Sequence, residues 1–191
     1  MNMNAGMKHV WILVLAMVFA SQGCSTKYTL NVPDYKGYEG EVNQHSRVIN
    51  ADKHDIFKIL TTAELFAHLC PEGTIVTFED PLPYQAGTRV ETKIEHIFTL
   101  GWNSKVEAVM PYRMIRLRFL DGFFAGGTEL WELEDEENGT RVMQTIIVEP
   151  EGFIRQVCWN TKVRLKHNRM VEVFLDNLKM MAEAGCHVRT Q

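Results

Sequence analysis

The first 40 residues carry one unbroken apolar run, Val10 to Ala20 (VWILVLAMVFA), behind Lys8, and then a polar stretch with Gly, Tyr and Pro that keeps no period. From Glu41 to Asn50 (EVNQHSRVIN) Val42 and Val48 stand among polar residues, a weak strand signal. Ala51-Asp52 then opens a helix. Asp52 can accept from the N–H groups of the first turn, and Ile56, Phe57, Ile59 and Leu60 fall on one face at helical spacing. Thr62 is placed to cap a second short helix through Glu64, Leu65, Phe66 and Leu69, with Pro71 and Gly73 just past its end.

Beyond Gly73 the period drops to two. Thr74 to Glu79 predicts a strand, broken by Pro81-Leu82-Pro83. In Thr88 to Phe98, Val90, Thr92, Ile94, His96 and Phe98 share one face, while Arg89, Glu91, Lys93 and Glu95 take the other. Asn103 to Met110 and Tyr112 to Leu120 continue the series, the latter with Ile115, Leu117 and Phe119 opposite Met114, Arg116 and Arg118, so the outer faces are expected to be charged. Thr128 to Glu134 and Arg141 to Glu149 flank Glu136-Glu137-Asn138-Gly139, whose Asn-Gly pair suits the positive dihedrals of a hairpin turn. One buried and one wet face per strand is the pattern of an antiparallel meander. From Phe153 the period returns to 3.6: Val163, Met170, Val171, Phe174, Leu178 and Met181 draw an apolar stripe along a helix of roughly 30 residues ending before Gly185. Such a stripe must pack on the sheet.

Composition narrows the picture. At 191 residues, 46% apolar and 23% charged, the chain suits one ordinary domain with a real core. A net charge of −4 with scattered Lys and Arg gives no electrostatic footprint for nucleic acid, which is not an expected partner. The N-terminal run has the plan of a signal peptide, and is shorter than the roughly 20 apolar residues a spanning helix needs. Two processing sites compete: Val18-Phe19-Ala20 fits ordinary signal peptidase, and Ser21-Gln22-Gly23-Cys24 resembles the end of a bacterial lipobox with Ser21 where a Leu-like residue is usual. Acylation of Cys24 would hold the protein on a membrane. The expected organisation is a signal peptide at 1–23, a tether at 24–40, one domain at 41–184 and a tail at 185–191, exported to the bacterial cell envelope. In an oxidising space Cys70, Cys158 and Cys186 allow one bridge plus a free thiol, or idle thiols, and their spacings match no zinc or redox pattern.

The order strand, two short helices, antiparallel strands, long C-terminal helix resembles the START-like superfamily, also called SRPBCC, and within it the polyketide cyclase/dehydrase-type proteins. The resemblance rests on VINADKHDIFKIL (Val48 to Leu60), the strand pair around Gly87-Thr88 and Trp102, GGTELWELED ending at Asp135, Gly139-Thr140-Arg141-Val142, and FLDNLKMMAE (Phe174 to Glu183). One departure is Asp52, where the usual residue of the first strand-helix junction is Pro. The fold it implies is α+β: a curved antiparallel sheet wrapped around the long C-terminal helix, a helix-grip, with two short helices after the first strand. It also implies a cavity between sheet and helix that takes lipids, sterols, polyketides or other apolar ligands.

Fold alone does not fix function, so candidate chemistry is sought among polar groups on inward faces. His96 shares a face with Val90, Ile94 and Phe98, where an imidazole can bond a ligand carbonyl or act as acid/base. Glu129 has the parity of Trp131 and Leu133, although Leu130 leaves that parity ambiguous, and Gln144 runs with Val142, Ile146 and Val148. Each of these three can equally be a satisfied structural residue. Trp102, Phe119, Phe123, Phe124 and Trp131 are cavity or core aromatics, near Gly122, Gly126 and Gly127, where a flexible loop can gate a cavity mouth. Arg155, Trp159, Lys162, Lys166 and Arg169 follow one another at spacings of four, three, four and three, a basic stripe with one indole suited to anionic head groups or to a solvated face. The sequence holds no metal-ligand spacing, nucleophile elbow or phosphate loop, and no cofactor is expected. The expected function is non-catalytic binding of a hydrophobic small molecule or lipid. The alternatives are a cyclase/dehydratase-like enzyme using His96 and Glu129, and a cell-envelope interaction module using Trp159 and the basic stripe.

Overall fold

The computed structural model describes residues 40–95 and 100–185. Seven strands form one antiparallel sheet: β1 (Glu41–Ile49), β2 (Thr74–Glu79), β3 (Arg89–Ile94), β4 (Leu100–Met110), β5 (Met114–Phe119), β6 (Thr128–Glu136) and β7 (Gly139–Val148). Their order is β1-β7-β6-β5-β4-β3-β2, so β2 to β7 is a simple meander and β1 closes on its last strand. Helices α1 (Lys53–Thr61) and α2 (Ala63–Ala67) follow β1. The C-terminal helix runs through α3 (Phe153–Cys158), a π turn (Trp159–Val163) and α4 (Arg164–Glu183). This is the expected α+β arrangement, an open curved sheet gripping a long helix.

Local signals explain most of the boundaries. The Asp52 side chain accepts from the His54 N–H at 2.7 Å and starts α1, whose Ile56, Ile59 and Leu60 are buried. Thr62 does not cap α2 through its hydroxyl as the sequence suggested. A single extended residue joins the two helices, and α2 begins on a backbone bond from Phe66 N–H to the Thr62 carbonyl. The β6–β7 hairpin also differs from expectation. Glu136 pairs with Gly139, so Glu137-Asn138 is the loop, and Asn138 is not among the residues with positive φ. Gly139 has φ 133°, and a Cβ there would overlap the Ile49 carbonyl; glycine is needed for the close approach of β1 rather than for the turn itself.

The main core lies between the concave face and the helices, where Ile115, Leu117, Trp131, Leu133 and Val142 meet Ile56, Leu60, Phe174, Leu175 and Leu178. The outer face is not uniformly charged. Leu130 (0% exposed) and Ile147 form a small second core there with Val42, and Met114 is buried too. Leu130 is thus an outward residue that is nonetheless buried, which is why it blurred the parity of its strand.

A polar seam sets the helix against β1. Glu41 meets Arg164, Asn43 meets Asn168, His45 meets Glu172 at 2.7 Å, and Arg47 meets both Glu172 and Asp176. Two residues along a strand advance about 6.6 Å. Four along a helix advance about 6.0 Å. Alternate β1 positions therefore stay in step with one face of α4.

The π turn puts five residues where an α-helix would put fewer, re-aiming the side chains beyond it. Trp159, at its start, is fully buried with Phe119, Phe124, Ile146 and Val148. It is therefore not part of an exposed basic stripe: Arg155, Lys162 and Arg169 are exposed, Lys166 turns toward the sheet, and the exposed apolar side chains of α3 include Phe153 and Ile154.

Candidate functional site

Between the concave face and the long helix lies a cavity of about 200 Å³. Strands β2 to β7 provide one wall, with Val76, Phe78, Val90, Ile115 and Leu117 pointing inward at every second position. Val163, His167, Met170, Val171 and Phe174 provide the other, one residue per helical turn or its neighbour. Leu60, Phe66, Cys70 and Tyr84 close one side and Trp102, Phe123 and Phe124 another. The lining is mainly apolar and aromatic, as in small-molecule sites.

Of the residues singled out from sequence, Gln144, Glu129, Trp102 and Trp131 line this cavity. Phe119 does not. It is buried beside Phe124, ring centroids 5.3 Å apart, in the cluster under Trp159. His96 and Cys24 lie outside the described residues, as do Phe98, Cys186, the signal-peptide segment and most of the tether and tail. Cys70 and Cys158 are both free thiols; Cys70 is held near 3.6 Å from the Phe66 carbonyl, and burial pushes its pKa up to about 11. Among the described residues no cluster of His, Cys, Asp or Glu could hold a metal ion.

The glycine-bearing segment before β6 is tied to β4 through Asp121, and its Phe123 and Phe124 line the cavity. Asp121 accepts from the Asn103 N–H at 2.6 Å and from its side-chain amide at 2.7 Å, and these bonds hold its carboxyl below the usual range. Gly122, at φ 72°, packs so closely on Trp102 that a Cβ would stand 2.8 Å from that residue's Cβ. Its role is to let the chain pass close to the β4 main chain at Gly101 and Trp102.

Polar groups on the wall are few and concentrated. The Gln144 amide donates to Glu129 Oε1 at 3.0 Å, and Trp131 donates to the same carboxyl. Burial nevertheless dominates and raises the Glu129 pKa, because the charged form has been taken out of water. Tyr84, also raised mainly by burial, feels the Glu129 charge from the loop before β3. The Gln144 carbonyl oxygen is buried without a hydrogen-bond partner. Farther along the helix, His167 sits among Phe124 (6.1 Å between centroids), Trp159 (6.5 Å) and His45 (6.1 Å), and burial lowers its pKa to about 4. Its Nδ1 and the Trp159 Nε1 also lack partners.

Sequence reasoning missed Tyr84, His167 and His45. His167 was within reach, since it stands four residues after Val163 and four before Val171 on the apolar stripe. His45 was legible in the matched polar sets 41, 43, 45, 47 and 164, 168, 172, 176. Tyr84 lies in a loop with no period to read.

The chain matches no protein-family model. It matches no curated protein sequence. Solved structures do resemble it. A protein from Thermus thermophilus superposes with a TM-score of 0.63 at 19% identity over 76% of this chain and 99% of its own. Ara h 8.0201 does so with 0.60 at 10% identity over 75% and 98%. The di-domain ARO/CYC protein StfQ from the steffimycin biosynthetic pathway gives 0.58 at 15% identity over 75% of this chain and 51% of its own. At these identities the likeness is one of fold, a helix-grip of an antiparallel sheet around a long C-terminal helix.

Proposed function

We propose that this protein binds a hydrophobic small molecule, or the apolar part of a lipid, in the cavity between the sheet and the long helix. The observation that carries the reading is the cavity itself: about 200 Å³ lined by aromatic and aliphatic side chains, with its polar groups gathered at a few points. A dry apolar cavity of about 150 Å³ is enough to take benzene. This one suits a molecule of one or two fused rings, or part of a longer chain. Removing such a ligand from water would supply roughly 25 cal/mol per Å² of apolar area buried, and the polar groups would orient it. The solved relatives support this only through their shared fold.

The test is to purify residues 25–191, extract them with organic solvent and titrate them with a naphthalene probe. A co-purifying apolar molecule, or saturable binding of one probe per chain, is the expected result. A protein that carries nothing and takes up no apolar probe would overturn the reading.

The sequence of the leader extends the proposal to place: export to the cell envelope, with anchoring through Cys24 if that residue is acylated. Intact mass of the full chain purified from a bacterial host tests it. A mature N-terminus at Cys24 carrying acyl chains supports anchoring, a cut after Ala20 supports export alone, and retention of Met1 overturns both.

A further inference from the structure

The polar cluster on the cavity wall points to the chemistry of the ligand, given the binding reading above. Trp131 and Gln144 are direct cross-strand partners on β6 and β7, and Glu129 stands two residues before Trp131 on the same face. Three side chains therefore converge by pleat alone. Gln144 and Trp131 both donate to the carboxyl of Glu129. Gln144 is 1% exposed and its carbonyl oxygen has no partner. Glu129 is only half-buried, and because it lines the cavity its free surface is cavity surface. Tyr84 lines the same cavity and is near enough to feel the Glu129 charge.

We propose that Glu129, Gln144 and Tyr84 form a seat for a hydroxyl group carried on an apolar ligand. The group must both donate and accept: it can donate to the vacant Gln144 oxygen or to the carboxyl, and accept from the Tyr84 O–H. A pure hydrocarbon would leave the Gln144 oxygen unpaired. A ligand carboxylate would set two acids against each other in a dry site. An ammonium group would need Glu129 ionised, whereas burial biases that carboxyl toward its neutral form.

The experiment compares naphthalene, 2-naphthol and 2-(aminomethyl)naphthalene on the purified mature chain by calorimetry. The expected result is that 2-naphthol binds about tenfold or more tighter than naphthalene, since a site built to hydrogen-bond a hydroxyl discriminates against the analogue lacking it. Glu129→Gln should keep that preference, because an amide still donates and accepts, while Glu129→Leu and Gln144→Leu should abolish it. A cooperative thermal melt of each variant shows that it folds. Equal affinity of wild type for naphthol and naphthalene would overturn the hydroxyl seat and leave the apolar-binding reading standing. A dominant preference for the amine, lost in Glu129→Gln, would overturn it in favour of an ion-pair seat. If none of the three probes binds, both readings fall.

Discussion

Burial biases both Glu129 and His167 toward their neutral forms, and their effects on stability run in opposite directions of pH. The folded chain keeps the Glu129 proton to higher pH than the unfolded chain does. Its contribution is therefore greatest below the ordinary value of 4.5 and is lost as pH rises through the folded pKa. Glu129→Gln should accordingly raise the melting temperature at pH 8 and change it little at pH 4. For His167 the folded pKa is about 4 against 6.5. The unfolded chain takes the proton first as pH falls, so stability drops between pH 6.5 and 4, by about 3 kcal/mol at most. His167→Phe should flatten that fall, measured as the difference between variant and wild-type urea midpoints at pH 7 and pH 4; parallel profiles would remove His167 from the acid side of the stability curve. Parity grouped Gln144 with Val142, Ile146 and Val148 from sequence alone and left Glu129 ambiguous because of Leu130; both line the cavity. Their hydrogen bond was not legible, because parity says which face a residue takes and nothing about which neighbour it meets across the strands.

The C-terminal helix shows what periodicity can and cannot deliver. Its start and length followed from the apolar stripe, yet Trp159 fell on the wrong face because a fixed 3.6-residue period was carried through a π turn. Burial of the indole with Phe124, Ile146 and Val148 outweighs the basic spacing around it. Trp159→Ala should cost about 3–5 kcal/mol, the range for emptying a buried aromatic site. By contrast the β1 seam is polar and partly exposed, Arg47 and Glu172 retaining 29% and 47% of their side-chain surface. Pairs of that kind contribute about 0–1 kcal/mol. Arg47→Met should therefore move the denaturation midpoint far less than Trp159→Ala does, and a comparable loss would show that the seam positions the helix energetically rather than by register alone. Hydrophobic patterning rated β1 a weak strand for the same reason: its inward contacts are charges and amides, which such patterning reads as solvent.

At the level of the molecule, the sequence of elements was readable because each changes period where the next begins, and the resemblance to the helix-grip fold supplied the curvature that no strand pattern encodes. What no local pattern could supply was whether the gripped helix would fill the concave face or leave room. The answer depends on the sum of side chains from separate elements, strands β2 to β7 on one side and the C-terminal helix on the other. Val76 and Val171 stand on those two walls and both line the cavity. Replacing both with Phe would fill much of the space with side chain, and because the added atoms enter a void rather than a packed core, the cost of overpacking is largely avoided. The expected outcome is a double variant whose melting temperature is unchanged or higher, within about 2 kcal/mol of wild type, and whose affinity for 2-naphthol falls by at least about tenfold. A folded double variant that still binds as wild type does would mean that the ligand sits elsewhere on the chain and that the interior cavity is an incidental void, the one result under which the helix-grip fold is retained and its use in binding is not.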